Sequence, residues 1–167
     1  MLEEIVLPNS NTFAACEDSL RRIGTWPLYG GQELWVYGDA TGEHRQSSAS
    51  RTDWQIVRSC LAGHEGRFQI SYRYYNYNPL IKDRVNCVNA ALRNQAGEHR
   101  LLIDAGCREL TRDFEEVSWS LDAHGNSLPD LDKSDPKRTH LSDALGYMIA
   151  CYFPMKQAGR FRSELII

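Results

Sequence analysis

The chain has 167 residues, 42% of them hydrophobic and 25% charged, with a formal net charge of −3. That size suits one domain with a sizeable core, and the lack of a basic excess argues against a passive nucleic-acid-binding module, though acidic metal ligands would mask local basic loops. No apolar run approaches the roughly 20 residues of a membrane span, the opening Met-Leu-Glu-Glu is acidic where an export signal is basic, and the five cysteines, odd in number and lacking a CxxC pair, argue for a reducing cytoplasm and against structural zinc or a disulfide framework.

In chain order, the spacing predicts an amphipathic helix over about residues 12–23, with Asn11 or Thr12 as cap and Phe13, Cys16, Leu20 and Ile23 on one side. Pro27 and Gly30-Gly31 then break the chain before Gln32-Glu33-Leu34-Trp35-Val36-Tyr37, a run apolar on both faces after Glu33, as a central strand is. It stops at Gly38-Asp39-Ala40-Thr41-Gly42, whose glycines leave room for something to approach the backbone. Asp39 there either takes part in chemistry or caps a turn. Residues 43–51 form a polar loop in which Arg45 and Arg51 either reach phosphate or are simply solvated.

A helix opening at Thr52 or Asp53 follows, with Trp54, Ile56, Val57, Cys60 and Leu61 inward, up to Gly63. Residues 67–75 alternate as a second strand with Phe68, Ile70, Tyr72 and Tyr74 on one face. A helix over about 79–94 starts at Pro79, with Asn78 as cap and a stripe of Ile81, Val85, Val88 and Leu92. Asp83 lies in its first turns, where an acid also complements the helix dipole. A third strand is expected over 99–104, ending at Asp104, then a helix over about 107–116 with Leu110 and Phe114 inward, and a fourth strand over 117–121. After the tight turn His124-Gly125-Asn126 and a polar loop over 130–138, Thr139 is placed to cap a last helix running to about residue 153. Leu141, Ala144, Leu145, Met148, Ile149 and Tyr152 mark its buried stripe. Asp143 flanks that stripe, and a carboxylate so near a core needs a base, a dipole or a metal ion as partner. Residues 155–167, basic then apolar, either dock or trail as a tail.

Strands alternating with helices make the fold class α/β. The boundaries read as an N-terminal helix and connection over 1–32, a core over 33–154 and the tail over 155–167. No P-loop, no GxGxxG fingerprint and no GxSxG elbow occurs, and the histidines lack zinc spacing. What remains are acids at element ends: Asp39, Asp83 and Asp143, with Asp104 as rival for the middle position. Carboxylate oxygens are the ligands Mg2+ and Mn2+ prefer, and two ions about 4 Å apart can drive phosphodiester hydrolysis. His140 reads as a capping or phosphate-facing residue rather than a metal ligand.

The segments Val36-Tyr37-Gly38-Asp39-Ala40-Thr41-Gly42, Asn78-Pro79-Leu80-Ile81-Lys82-Asp83-Arg84-Val85-Asn86 and His140-Leu141-Ser142-Asp143-Ala144-Leu145-Gly146-Tyr147 together resemble the C-terminal nuclease domain of tailed-bacteriophage terminase large subunits. The resemblance spans about residues 33 to 153. It implies a ribonuclease H-like fold, a mixed central sheet flanked by helices, and a two-metal-ion endodeoxyribonuclease that cuts concatemeric viral DNA during packaging in the cytoplasm of the infected bacterial host. By match of motifs, Asp39, Asp83 and Asp143 would hold two Mg2+ or Mn2+ ions. Arg45, Arg51, Lys82, Arg84, Lys137 and Arg138 would contact phosphates of double-stranded DNA.

Two features depart from that family. The hairpin strands expected after the first acid are reduced to the loop 43–51, and the P-loop ATPase that precedes the nuclease in a complete large subunit is absent from these residues. The full-length partners implied are that ATPase domain, the portal protein and the small terminase subunit, with no membrane. Two other readings stand beside it: a junction resolvase or ribonuclease H-type nuclease, and a non-catalytic docking module for portal or small subunit.

Overall fold

The computed structural model describes residues 1, 3–25, 33–45, 50–64, 66–154 and 161–165, the last five by their backbone alone. Its elements in chain order are α1 (Thr12–Ile23), β1 (Glu33–Tyr37), α2 (Asp53–Leu61), β2 (Gln69–Tyr75), α3 (Ile81–Leu92), α4 (Arg108–Glu116), β3 (Trp119–Leu121), β4 (Ser127–Leu131), α5 (His140–Tyr152) and β5 (Phe161–Leu165). The Pro27 and Gly30-Gly31 break and the tail residues 155–160 lie outside the described residues. The chain is mixed α/β, and among the described residues no helix is long and apolar enough to cross a membrane.

The chain divides into two compact units. One joins Ile5–Tyr77 to Phe161–Ile167, and the other joins Met1–Glu4 to Asn78–Arg160.

In the first unit β1 pairs in parallel with β2, Val36 opposite Tyr72, and β5 pairs antiparallel on the other side of β2. The order β1-β2-β5 puts β2 at the centre and β1 at an edge, against the expectation of a central first strand. Burial agrees: six of the seven β2 positions are not exposed, five of them fully buried in the run Ile70-Ser71-Tyr72 and Tyr74-Tyr75, whereas β1 is only half-buried. The core beneath consists of Trp54, Leu61, Phe68, Ile70, Tyr72 and Tyr74, with Leu20, Ile23, Leu34, Val36 and Val57 packed against it. Burying each such large side chain is worth about 1.5–3 kcal/mol. Trp54 stacks on Tyr74 with ring centroids 4.2 Å apart and meets Tyr72 edge-on at 6.1 Å. Asn11 caps α1 through the Ala14 amide, and Thr52 with Gln55 closes a reciprocal capping box on α2.

The second unit packs α3 and α4 against α5, beside the antiparallel hairpin β3–β4. Gly125, at a φ of +81°, supplies the left-handed residue in the hairpin's turn. Residues 99–104 are not a strand. The Arg100 and Leu101 amides both donate to the Ala91 carbonyl at the end of α3, and the Asp104 amide donates to the Met1 carbonyl at 2.9 Å. Only Leu101 of that apolar run is fully buried, and Leu102 is 75% exposed. Helix α3 begins at Ile81, after Leu80, rather than at Pro79 under an Asn78 cap.

Helix α4 has no side-chain cap from the residue before it. Its free amides are taken instead by Glu4, whose carboxylate accepts Glu109 N and Leu110 N, each at 2.9 Å. An acid from the first residues of the chain thus does what a local cap would do, and its charge suits the positive end of the helix.

Candidate functional site

The first of the sequence-selected acids, Asp39, comes two residues after the end of β1. Its Oδ1 accepts the Thr41 amide at 2.6 Å and the Thr41 hydroxyl at 2.7 Å, so the carboxylate caps the 3-10 turn Ala40–Glu43. The indole of Trp54 donates to the Asp39 carbonyl at 2.8 Å. Gly38 and Gly42 admit that indole: a Cβ at Gly38 would stand 2.9 Å from Trp54 Cζ2, and one at Gly42 3.0 Å from Cδ1. The room left by the glycines is filled by a side chain of the protein itself. At the end of the turn, Glu43 is tied to Arg58 of α2 at 3.1 Å. The turn borders a cavity of about 540 Å3 lined by Tyr37, Asp39, His44, Arg45 and Asp53 among others.

Asp143, in the first turn of α5, has its partner in Arg84 of α3. Nη2 of Arg84 lies 2.9 Å from Asp143 Oδ1, and Nη1 donates to the Asp143 main-chain carbonyl at 3.2 Å. The guanidinium also covers the Tyr147 ring, 4.2 Å from its centroid. The Arg84 side chain is 5% exposed and that of Asp143 21%. On the solvent side Lys133 Nζ stands 3.8 Å from Asp143 Oδ2. Arg84 was expected to meet DNA phosphate, but its burial keeps the guanidinium from a duplex backbone. The helix faces explain the difference. The buried positions of α3 are Arg84, Cys87, Val88 and Ala91, and those of α5 are Leu145, Gly146, Ile149 and Ala150. Ala144 and Tyr152, assigned to the buried stripe, are exposed.

Thr139 does not cap α5. It is buried in the left-handed region at a φ of +73°, and its side chain makes no capping bond. The acceptor comes from α4: Asp113 Oδ2 takes the Ser142 amide at 3.1 Å, and its Oδ1 lies 3.4 Å from Arg138 Nη1. Asp113 is 2% exposed, while Phe114, assigned inward, is 36% exposed. Arg138 is also committed, since its guanidinium reaches Glu109 at 3.0 Å as well as Asp113, Glu116 and Asp135. Those acids occupy the side chain expected on DNA phosphate. Hydrogen bonding to Arg138 holds the Glu109 carboxyl below its usual range. Arg84, Asp113, Ser142 and Asp143 face a cavity of about 240 Å3 whose apolar wall includes Val88 and Trp119. Asp113 escaped sequence reading because its position in α4 looked like one of many exposed helical acids. The hint lay in its place three residues after Leu110, on the same helix face.

Asp83 sits half-buried in the first turn of α3. Asp104 is exposed and closes a turn, its Oδ1 accepting the Gly106 amide at 2.7 Å. Lys82, Arg45, Arg51 and Lys137 are exposed. His140 is exposed, with Nε2 3.0 Å from the Pro136 carbonyl, to which it can only donate.

Asp83 and Asp143 share one unit and Asp39 belongs to the other. Among the described residues no group of three or more His, Cys, Asp or Glu side chains is arranged to hold a metal ion. The donors themselves fit a hard cation, being all carboxylate oxygens. At Asp143 the donor left for a cation is Oδ2, since Oδ1 is held by buried Arg84 while the ionic neighbour of Oδ2 among the described residues is Lys133, a side chain 56% exposed. No family model, curated protein or solved structure matches the chain.

Proposed function

We propose that the chain is a metal-dependent endonuclease of double-stranded DNA, the ribonuclease H-like nuclease part of a tailed-phage terminase large subunit, acting in the cytoplasm of the infected host. The observation that carries this reading is the order of three acid-bearing segments: Asp39 behind a strand, Asp83 opening a later helix and Asp143 opening the last long helix. In support, Asp39 and Arg45 line one cavity, and the Asp143 side chain is 21% exposed with Oδ2 3.8 Å from the exposed Lys133 ammonium. Asp39, Asp83 and Asp143 would hold Mg2+ or Mn2+, and the ions would supply Lewis-acid activation of the scissile phosphodiester. The chain's own contribution is to fix the ligands and the substrate. Arg84 orients the Asp143 carboxylate from behind, the Thr41 hydroxyl and amide orient Asp39, and the exposed Arg45, Arg51, Lys82 and Lys137 offer cations to DNA phosphates without reading bases. The test is plasmid cleavage with Mn2+ or Mg2+ by the wild type, Asp39→Ala and Asp143→Ala. Metal-dependent cutting that both variants lose supports the reading, and undiminished cutting by both sinks it. Preference for four-way junctions or RNA–DNA hybrids over plain duplex would move the substrate to that of a resolvase or ribonuclease H.

A second reading draws on the local roles of the same acids, Asp39 as a turn cap and Asp143 as the counter-ion of a buried arginine. On that reading the chain is a non-catalytic docking module for the portal or small terminase subunit. Absence of cleavage, with partner binding retained in both alanine variants, would favour it.

A further inference from the structure

We propose that the cavity among α3, α4, α5 and the β3–β4 hairpin binds a small organic monocation, one aromatic ring bearing an amidinium or ammonium group, with its charge on Asp143 Oδ2 and its ring against Trp119. Every residue that lines this cavity belongs to the unit that contains Asn78–Arg160. Volume sets the size of the ligand. At about 240 Å3 the cavity lies between the roughly 150 Å3 that holds one benzene and the roughly 300 Å3 at which drug-sized pockets begin. It suits one ring with a short substituent. The walls set the character of the body, since Val88 and Leu131 are buried apolar surface and half-buried Trp119 adds an aromatic one. Phe114 and Ser118 of the lining are exposed, so the cavity is reached from solvent on that side.

Charge selects the head group. The charged residues of the lining are Arg84, Asp113 and Asp143. The Asp113 oxygens are committed, one to the Ser142 amide at 3.1 Å and one to Arg138 at 3.4 Å. Both terminal nitrogens of Arg84 are committed to Asp143, at 2.9 Å and 3.2 Å. An anionic ligand would therefore meet two carboxylates with no uncommitted cation in the lining to offset them. Asp143 Oδ2 differs from these groups. Its ionic neighbour among the described residues is Lys133, 3.8 Å away on a side chain 56% exposed, longer than a hydrogen bond and screened by water. An amidinium or ammonium at Oδ2 replaces that loose contact with a charge-assisted hydrogen bond, while its ring covers the apolar wall. The inference does not rest on the nuclease reading, and an organic cation and a metal ion at this oxygen would exclude each other.

The experiment titrates benzamidine, and benzamide as its neutral isostere, into the full chain while tryptophan fluorescence is followed. Of the four tryptophans, Trp119 alone lies in this unit. The expected result is a saturable change that Trp119→Phe abolishes, with benzamidine about tenfold tighter than benzamide. Lys133→Ala, a surface change, should tighten benzamidine about two- to fivefold and leave benzamide unmoved. Asp143→Asn should erase the preference for the cation. Because Asp143 also holds Arg84, the Lys133 variant decides the matter where Asp143→Asn folds poorly. No saturable change with benzamidine, equal binding of the two compounds, a change that persists in Trp119→Phe, or a Lys133→Ala chain that binds benzamidine no tighter overturns the proposal.

Discussion

Arg84 grips Asp143 at two points, the carboxylate at 2.9 Å and the main-chain carbonyl of Asp143 at 3.2 Å, and so binds the fourth residue of α3 to the first turn of α5. Truncating a buried partner leaves the other charge without compensation. Arg84→Ala should therefore cost about 3 kcal/mol or more, read as a lower urea midpoint at unchanged slope. Replacing both partners by Met and Leu should recover most of that loss, because an apolar pair of similar volume avoids the desolvation cost. If Arg84→Ala unfolds at the wild-type midpoint, the pair is not what joins α3 to α5.

Two glycines should respond with opposite sign. At Gly38 a methyl would press on the Trp54 ring at 2.9 Å, and Gly38→Ala should destabilise by about 1–3 kcal/mol. Gly146 lies inside α5, where a Cβ would meet Arg84 at an ordinary 3.7 Å. There Gly146→Ala should stabilise by about 0.5–1 kcal/mol through helix propensity. Thermal melts of the two variants side by side check both signs.

The cap that Glu4 supplies to α4 has a local readout. Glu4→Ala should cost about 1 kcal/mol and speed hydrogen exchange at the Glu109 and Leu110 amides, which the carboxylate now holds at 2.9 Å. Protection unchanged at those two amides would mean that another acceptor serves them.

Acid should weaken the fold from one side. Glu109 is held below its ordinary 4.5 chiefly by the Arg138 hydrogen bond, Asp18 below 3.8 by Arg21, and Asp122 below 3.8 by the Asn126 side chain. Each is depressed in the folded chain, so its contribution is present above the ordinary value and lost as pH falls through the lowered one. The melting midpoint should thus decline as pH drops below about 4.5, and Glu109→Gln should make that decline shallower. An equal slope in wild type and variant would show that the Arg138 contact is energetically silent.

Much of this structure is legible in the sequence wherever a local rule governs. The helix over 12–23, the β1 run, the Thr52 cap and the aromatic alternation of β2 follow from propensity, capping chemistry and period. What is lost are relationships between distant residues. Glu4 caps a helix that starts more than 100 positions later, and Asp113 replaces Thr139 at α5 from another helix. Neither leaves a trace in local spacing. Residues 99–104 have the composition of a strand, yet their amides are spent on the end of α3 and on Met1. Strand β5 was open to two readings, docked or trailing, because only the unpaired edge of β2 decides it. At the candidate site the acids were legible as types, and their partners were not: Arg84, beside Asp83 and expected to contact phosphate, is instead the buried partner of Asp143.

The pairing of Tyr75 with Phe161 across β2 and β5 carries a consequence for how this chain can vary. Adjacent paired strands lie about 5 Å apart, so the polypeptide departs from the sheet and rejoins it at almost the same point. In connectivity, β2 and β5 form a hairpin whose turn has been replaced by Asn78–Arg160, the larger part of the other compact unit. The sheet registers only that small gap. Lengthening, trimming or exchanging what lies between would leave every rung of β1-β2-β5 in place, making this junction the position where the gene can change most with the least disturbance to register.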